Sequence, residues 1–151
     1  MNINDIMSKK IIVGNTTNTL SEIAELMKKY DIGFIPIVDK NKLVGVITDR
    51  DIVINAISNN CSFNDLIDKY VVKNIISIDQ NKSIDDALNL MALKKVKRLI
   101  VTDNNKISGI LTLSDILGKY DNEIILDTFK QIFEINRNDD LFSTEIDEFY
   151  L

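Results

Sequence analysis

Gly45-Val46-Ile47-Thr48-Asp49-Arg50-Asp51-Ile52 returns 64 residues later as Gly109-Ile110-Leu111-Thr112-Leu113-Ser114-Asp115-Ile116. Leu20, Met27, Asp39 and Lys42 return at the same spacing as Ile84, Met91, Asp103 and Lys106, and no gap is needed from Ile12 to Val53. A fixed period marks two copies of one structural unit. Each copy carries a Thr and an Asp three residues apart, where an apolar strand gives way to a helix. That duplication points to a paired ligand cleft.

Outward from this stretch, both copies read alike. Leu20, Ile23, Ala24 and Met27 fall at i, i+3, i+4 and i+7, and so do Ile84, Ala87, Leu88 and Met91. Such spacing predicts amphipathic helices with one buried stripe. Thr19 and Ser83 precede them as N-caps, with Glu22 and Asp86 three residues on. Two apolar strands follow each helix, over 34–38 and 43–48, then over 98–102 and 107–112. Their connectors, Asp39-Lys40-Asn41-Lys42 and Asp103-Asn104-Asn105-Lys106, are polar and suit hairpins. A short helix then begins near Asp49 or Leu113, expected to bury Ile52, Val53 and Ala56, or Ile116, Leu117 and Tyr120. A short strand over 11–13 or 75–78 completes a β-α-β-β-α unit.

The lead-ins match at a different offset, Asn4-Asp5-Ile6-Met7 with Asn64-Asp65-Leu66-Ile67, which gives the second copy four extra residues. One such unit spans about 50 residues and leaves a sheet face open, too small to be comfortable alone. The expected fold is therefore mixed α/β (α+β), with two repeats packed sheet to sheet about a pseudo-two-fold axis. The expected boundaries are 1–61 for the first repeat with its lead-in, 62–120 for the second, and 121–151 for a C-terminal helix and acidic tail. Ile125, Phe129, Ile132 and Phe133 share one helical face there. Phe142, Phe149, Tyr150 and Leu151 sit among acidic residues beyond it.

Composition narrows the function. A net charge of −5 argues against nonspecific nucleic-acid binding, which needs basic side chains to neutralise phosphates. Met1-Asn2-Ile3-Asn4-Asp5 shows no signal-peptide pattern, and no apolar run approaches the roughly 18 residues of a membrane span. A cytoplasmic protein without membrane partners is expected. The chain has no histidine, which removes His-based zinc sites, Ser-His-Asp triads and Cys-His pairs. Its single cysteine, Cys61, lies in the polar stretch Ser58-Asn59-Asn60-Cys61-Ser62 and reads as an incidental linker residue. Neither a catalytic residue nor a metal site is expected.

Thr48 with Asp51 reads first as a capping box at a helix start, as does Thr112 with Asp115. A helix start also presents unpaired N–H groups that attract phosphate, and a Thr hydroxyl with an Asp carboxylate can hold the two hydroxyls of a ribose. The arginines add to this. Of only three, Arg50 lies inside the first Thr-x-x-Asp, and Arg98 opens a strand beside Lys97. Arginine suits bidentate phosphate recognition. Pro36, the only proline, cannot donate to a ladder, so its strand is expected at an edge or lining a cleft. Gly33 allows close backbone approach beside it.

Asp-Ile-Met-Ser-Lys from Asp5, Ile-Pro-Ile-Val-Asp from Ile35 and Gly-Val-Ile-Thr-Asp-Arg-Asp from Gly45 together resemble a CBS domain. With the second copy the chain resembles a tandem pair over about four-fifths of its length. The resemblance implies adenosyl-ligand binding in clefts between paired sheets. Thr48 with Asp51, and Thr112 with Asp115, would hold the ribose. Ile12, Val13, Ile35 and Pro36 would sandwich the adenine in one cleft; Ser77, Ile78, Leu99 and Ile100 would do so in the other. Arg50, Lys97 and Arg98 would meet phosphates. The departure is Ile100, where such modules usually carry proline.

The function implied is a regulatory sensor for AMP, ADP or ATP that signals by conformational change and dimerises with itself, requiring no cofactor. S-adenosylmethionine and NAD share the adenosine handle and stay open as ligands. A ligand-independent regulatory or scaffold subunit, contacting a protein partner through 121–151, is the alternative.

Overall fold

The computed structural model describes residues 2–40, 42–104, 106–119 and 123–134. In chain order they form α1 (Ile3–Ile6), β1 (Gly14–Asn15), α2 (Leu20–Tyr30), β2 (Phe34–Asp39), β3 (Lys42–Thr48), α3 (Asp49–Asp51), β4 (Ser77–Asp79), α4 (Ile84–Lys94), β5 (Arg98–Asp103), β6 (Lys106–Thr112), α5 (Leu113–Leu117) and α6 (Glu123–Glu134). The helix begun by α3 winds on through a π turn, Ile52–Ala56, and a 3-10 turn, Ile57–Asn59; a further 3-10 turn spans Ile67–Tyr70. The class is mixed α/β, with two three-stranded sheets in the orders β1-β2-β3 and β4-β5-β6.

The sheets are built on one plan. In each, the first strand runs parallel to the second and the second antiparallel to the third. Register shifts fall between Ile37 and Val38 and, 64 residues on, between Val101 and Thr102. Asp39 pairs with Lys42, and Asp103 with Lys106, so the expected four-residue connectors close as two-residue turns. Those turns open on Lys40 at φ 45° and Asn104 at φ 47°, the left-handed start that primed hairpin turns require. Thr19 and Ser83 cap α2 and α4 in complete capping boxes with Glu22 and Asp86. Both helices end on a left-handed residue, Asp31 and Lys95.

The chain divides into two compact units, one of Lys10–Ile75 and the other of the residues up to Lys9 together with those from Ile76 on. These units do not follow the expected 1–61 and 62–120 division, because each lead-in packs on the other repeat. Ile3 and Met7 lie in the core built on α4, β5 and β6, whereas Ile67 lies in the core built on α2, β2 and β3. Ser8 bridges Ile110, and Val72 bridges Val46. The Ile3 N–H donates to Lys82 C=O, and the Ile67 N–H to Asn18 C=O. Every one of these pairs is related by 64 residues. The lead-ins therefore keep the common period, and the four-residue offset expected from Asn4–Met7 is overturned.

Gly45 and Gly109 make those bridges sterically feasible. A Cβ at Gly45 would lie 2.6 Å from the Val72 carbonyl oxygen, and one at Gly109 3.0 Å from that of Ser8. Here the missing side chain serves close approach of a backbone.

Other expectations shift for local reasons. The first strands are β1 at Gly14–Asn15 and β4 at Ser77–Asp79, later than the apolar runs 11–13 and 75–78. Gly14 in β1 leaves room for the side chains it packs on, since a Cβ there would approach Ile23 Cδ1 to 2.6 Å and Ile37 Cδ1 to 2.8 Å. Val53 is 55% exposed, because the π turn carries Ala56 inward and rotates Val53 out. Leu117, 49% exposed, is the last residue of α5, while Leu113 and Ile116 take the buried side. Tyr120 lies outside the described residues, as do Phe142, Phe149, Tyr150 and Leu151.

Pro36 stands in the central strand rather than at an edge. Its equivalent, Ile100, donates its N–H to Ile76 C=O at 3.2 Å. Proline has no N–H to give, so the matching bond to Ile12 is not made. The parallel ladder β1-β2 is correspondingly two residues long, against three in β4-β5.

Around α6 the units differ. Ile125 and Ile132 are buried in the core of α4, β5 and β6, and Phe129 stacks on Phe133 with ring centroids 4.4 Å apart. Leu88 and Ala92 are buried on α4, whereas Ala24, the equivalent of Leu88 on α2, is exposed. No described helix is long and apolar enough to cross a membrane.

Candidate functional site

Each repeat places its Thr at the last residue of the hairpin and its Asp one turn into the following helix, so the strand end fixes both. The Thr48 N–H donates to Asp51 Oδ2 at 3.0 Å, and the Thr48 hydroxyl donates to the same oxygen at 2.6 Å. The Asp51 N–H returns a bond to Thr48 Oγ1 at 3.1 Å. Thr112 and Asp115 repeat the set at 2.9, 2.7 and 3.1 Å. Both pairs are half-buried capping boxes.

The box does not exhaust the carboxylates. Every bond of each set to the acid falls on Oδ2, which leaves Oδ1 to accept from another donor. A carboxylate has about four lone-pair sites, and the Thr oxygen keeps a second lone pair. A ligand carrying two neighbouring hydroxyls can meet both without breaking the cap.

The strand facing each Thr completes the surroundings. The Asp49 N–H donates to Gly33 C=O at 3.1 Å, and the Leu113 N–H to Lys97 C=O at 2.9 Å, which ties strand start to helix start in both units. Phe34 is the cross-strand partner of Thr48, and Arg98 that of Thr112. Residues directly opposite in an antiparallel pair share a face, with Cβ atoms about 4.5–5.5 Å apart. A Cβ on Gly33 would lie 2.5 Å from Asp49 Oδ2, so that carboxylate fills the space of a side chain at 33. At the equivalent place stands Lys97, whose Nζ lies 4.3 Å from the centre of the Phe133 ring on α6. Arg50 is exposed on the helical turn between Asp49 and Asp51.

The remaining sequence candidates divide by face. Ile35, Ile78 and Leu99 lie in the cores of their units, so only their backbone is open to a ligand. Pro36 and Ile100, next along their strands, point to the opposite face. Ile12 is half-buried, and Val13 and Ser77 are exposed. Phe34 and Asp49 join the site without being among the sequence candidates; the signal for Phe34 is its 64-residue correspondence with Arg98, and for Asp49 its place inside the first Thr-x-x-Asp. Among the described residues no group of three or more His, Cys, Asp or Glu is placed to hold a metal.

Both repeats resemble known proteins. A family model described as the CBS domain matches residues 3–57 and 67–122, two segments that start 64 residues apart. The CBS domain-containing protein YhcV of Bacillus subtilis is 31% identical over 114 residues, covering 76% of this chain and 81% of that protein. MK0525 of Methanopyrus kandleri is 33% identical over 120 residues, of whose length the chain spans 61%. Among solved structures, the CBS domain pair of protein MJ0100 in complex with 5′-methylthioadenosine and S-adenosylmethionine superposes with a TM-score of 0.70 at 29% identity. That match covers 78% of this chain and 94% of the other. Hypoxic Response Protein I, solved with two coordinated zinc ions, gives a TM-score of 0.72 at 31% identity, covering 80% and 100%.

Proposed function

The chain belongs to the CBS-domain family, and on that premise we propose that it is a regulatory module sensing an adenosyl ligand of the AMP, ADP or ATP type. The observation that carries this is the duplicated Thr-Asp pair with its spare carboxylate oxygen. Thr48 with Asp51 and Thr112 with Asp115 would hold ribose hydroxyls, and Arg50, Lys97 and Arg98 would meet phosphates. Backbone and apolar groups at Ile12, Val13, Ile35 and Pro36, and at Ser77, Ile78, Leu99 and Ile100, would line adenine. The ligand complex of the MJ0100 domain pair supports an adenosyl ligand and keeps S-adenosylmethionine, beside NAD, among the candidates. Ligand would act through its differential affinity for two conformations of a homodimer, with no catalytic step.

A thermal-shift panel of AMP, ADP, ATP, NAD and S-adenosylmethionine, with GTP as control, tests the reading. Ligand at 100 times its dissociation constant adds about 2.7 kcal/mol per site. For a domain this size the midpoint rises roughly 5–10 °C. A shift with an adenosyl ligand and none with GTP is expected; no shift with any at millimolar concentration removes the proposal.

A second reading, output through a protein contact, is favoured by one feature. Exposed Leu93 borders an open groove of about 320 Å³ between α4 and α6, lined also by Asn89, Ala92, Asp127, Thr128 and Gln131. Truncation for this test belongs after Glu134, since removing α6 takes Ile125 and Ile132 out of the core. Pull-down of a partner that is lost on Leu93→Asp in the groove, or on truncation after Glu134, with ligand binding intact, favours this reading.

A further inference from the structure

We propose that the groove between α4 and α6 is the docking site of this chain's own segment 139–150. The inference is independent of the adenosyl reading. It joins the two features of the protein-contact reading, the groove and the 121–151 region, into one surface that the loss of either would undo.

The groove has firm walls and an uncovered apolar rim. Its helices are 11 and 12 residues long, and Ile125 and Ile132 fix α6 in the core that also holds Leu88 and Met91 of α4. Thr128, 2% exposed, closes the groove from beneath, and Asn89 and Gln131 flank it with amides. Leu93 lines it at 73% exposure, and Leu126, beside the lining residue Asp127, is 61% exposed.

Three observations name the occupant. The first is reach. Helix α6 ends at Glu134, three residues after Gln131 of the groove wall. The stretch 135–141 extends up to about 25 Å, more than the roughly 18 Å length of α6, so Phe142 can return to any point along the groove. The second is spacing. Phe142, Ile146, Phe149 and Tyr150 fall at i, i+4, i+7 and i+8, the spacing of one apolar helical face. Such a face laid into a hydrophobic groove is a recurrent mode of recognition. The third is charge. Asp139, Asp140, Glu145, Asp147 and Glu148 accompany these anchors, while exposed Lys94 and Lys95 close α4 next to Leu93. Asp127 on the groove wall has Lys130 at 3.8 Å, which offsets its repulsion of an acidic segment.

Chymotrypsin digestion of the full chain, read by mass spectrometry, tests the docking, because cleavage tracks the population of the open form. Cleavage after Phe142 should run about tenfold slower in the parent than in Leu93→Asp. Ile146→Asp, which alters the segment rather than its seat, should release the same site by a similar factor. Leu93 is exposed, so cleavage after Phe133, which packs on the core, should not change. Phe63→Asp, at a 74% exposed position in the other unit, should leave the Phe142 site as slow as in the parent. Equal rates at Phe142 in the parent and both release variants overturn the proposal. Protection that fades on dilution assigns the segment to the groove of a second copy and overturns it as well.

Discussion

The two units share a backbone plan even where their sequences differ, and it is at those positions that their chemistry parts. Register shifts, turn residues, left-handed helix ends and capping boxes recur 64 residues apart. Yet Phe34 answers to Arg98, Gly33 to Lys97, Pro36 to Ile100 and Ala24 to Leu88. A duplicated frame thus preserves what hydrogen bonds and sterics dictate and leaves exposed positions beside the strand ends to diverge. Divergence there costs little stability, because surface substitutions away from caps and cores are usually small in effect.

The largest test of this comparison concerns the exchanged lead-ins. Ile3 and Ile67 are both fully buried, and truncating either to Ala should cost about 2–5 kcal/mol. Hydrogen exchange should show Ile3→Ala loosening β4–β6 and Ile67→Ala loosening β1–β3. Loosening in the opposite sheets would falsify the exchange.

Next come the glycines. Beyond the nearest side chains, Val71 and Met7, a Cβ at Gly45 meets the Val72 carbonyl oxygen at 2.6 Å, whereas one at Gly109 meets that of Ser8 at 3.0 Å. Gly45→Ala should therefore cost about 1–3 kcal/mol and Gly109→Ala less, read from urea midpoints. A larger loss at Gly109 would show that the Ser8 bridge is the stiffer of the two.

A smaller effect attends the proline. Ile100→Pro should remove the bond to Ile76 at a cost of about 1 kcal/mol, and Pro36→Ile should offer Ile12 the donor it lacks. Unchanged denaturation midpoints in both would mean that the ladder lengths have another cause.

The smallest is pH dependence at the helix caps. The Asn18 side chain and the Thr19 N–H hold the Glu22 carboxyl below its ordinary value, and the Ser83 cap does the same for Asp86. Carboxyls lowered in the folded state stabilise it above their unfolded values, 4.5 and 3.8, and lose that contribution as pH falls through the folded ones. Glu22→Gln should flatten the acid limb of stability in β1–β3, and Asp86→Asn in β4–β6. Identical limbs before and after substitution would remove the caps from the acid response.

Much of this architecture is legible in the residues alone. The repeat, both long helices with their caps and both hairpins follow from apolar spacing and from Thr or Ser placed three residues before Glu or Asp, since local hydrogen bonds need only local sequence. Thr48, Asp51, Thr112 and Asp115 are legible for the same reason, though residue types do not reveal that Oδ2 takes all the cap's bonds. The first strand departs from its apolar run because Ile11-Ile12-Val13 is apolar enough for a strand, but pairing is set by Ile37 and Val38 across the sheet. Val53 departs from its expected burial because a π turn changes the angular step that periodicity assumes.

By itself, then, the sequence determined the unit: its period, its elements, its caps and its Thr-Asp pairs, all of which rest on contacts a few residues apart. Tertiary structure alone decided which copy each lead-in completes. Gly45 and Gly109 are equally able to admit a passing backbone, and Ile3 and Ile67 equally able to fill a core. The choice between two equivalent acceptors lies in the path of the connecting chain, on which a pattern of residue types carries no information.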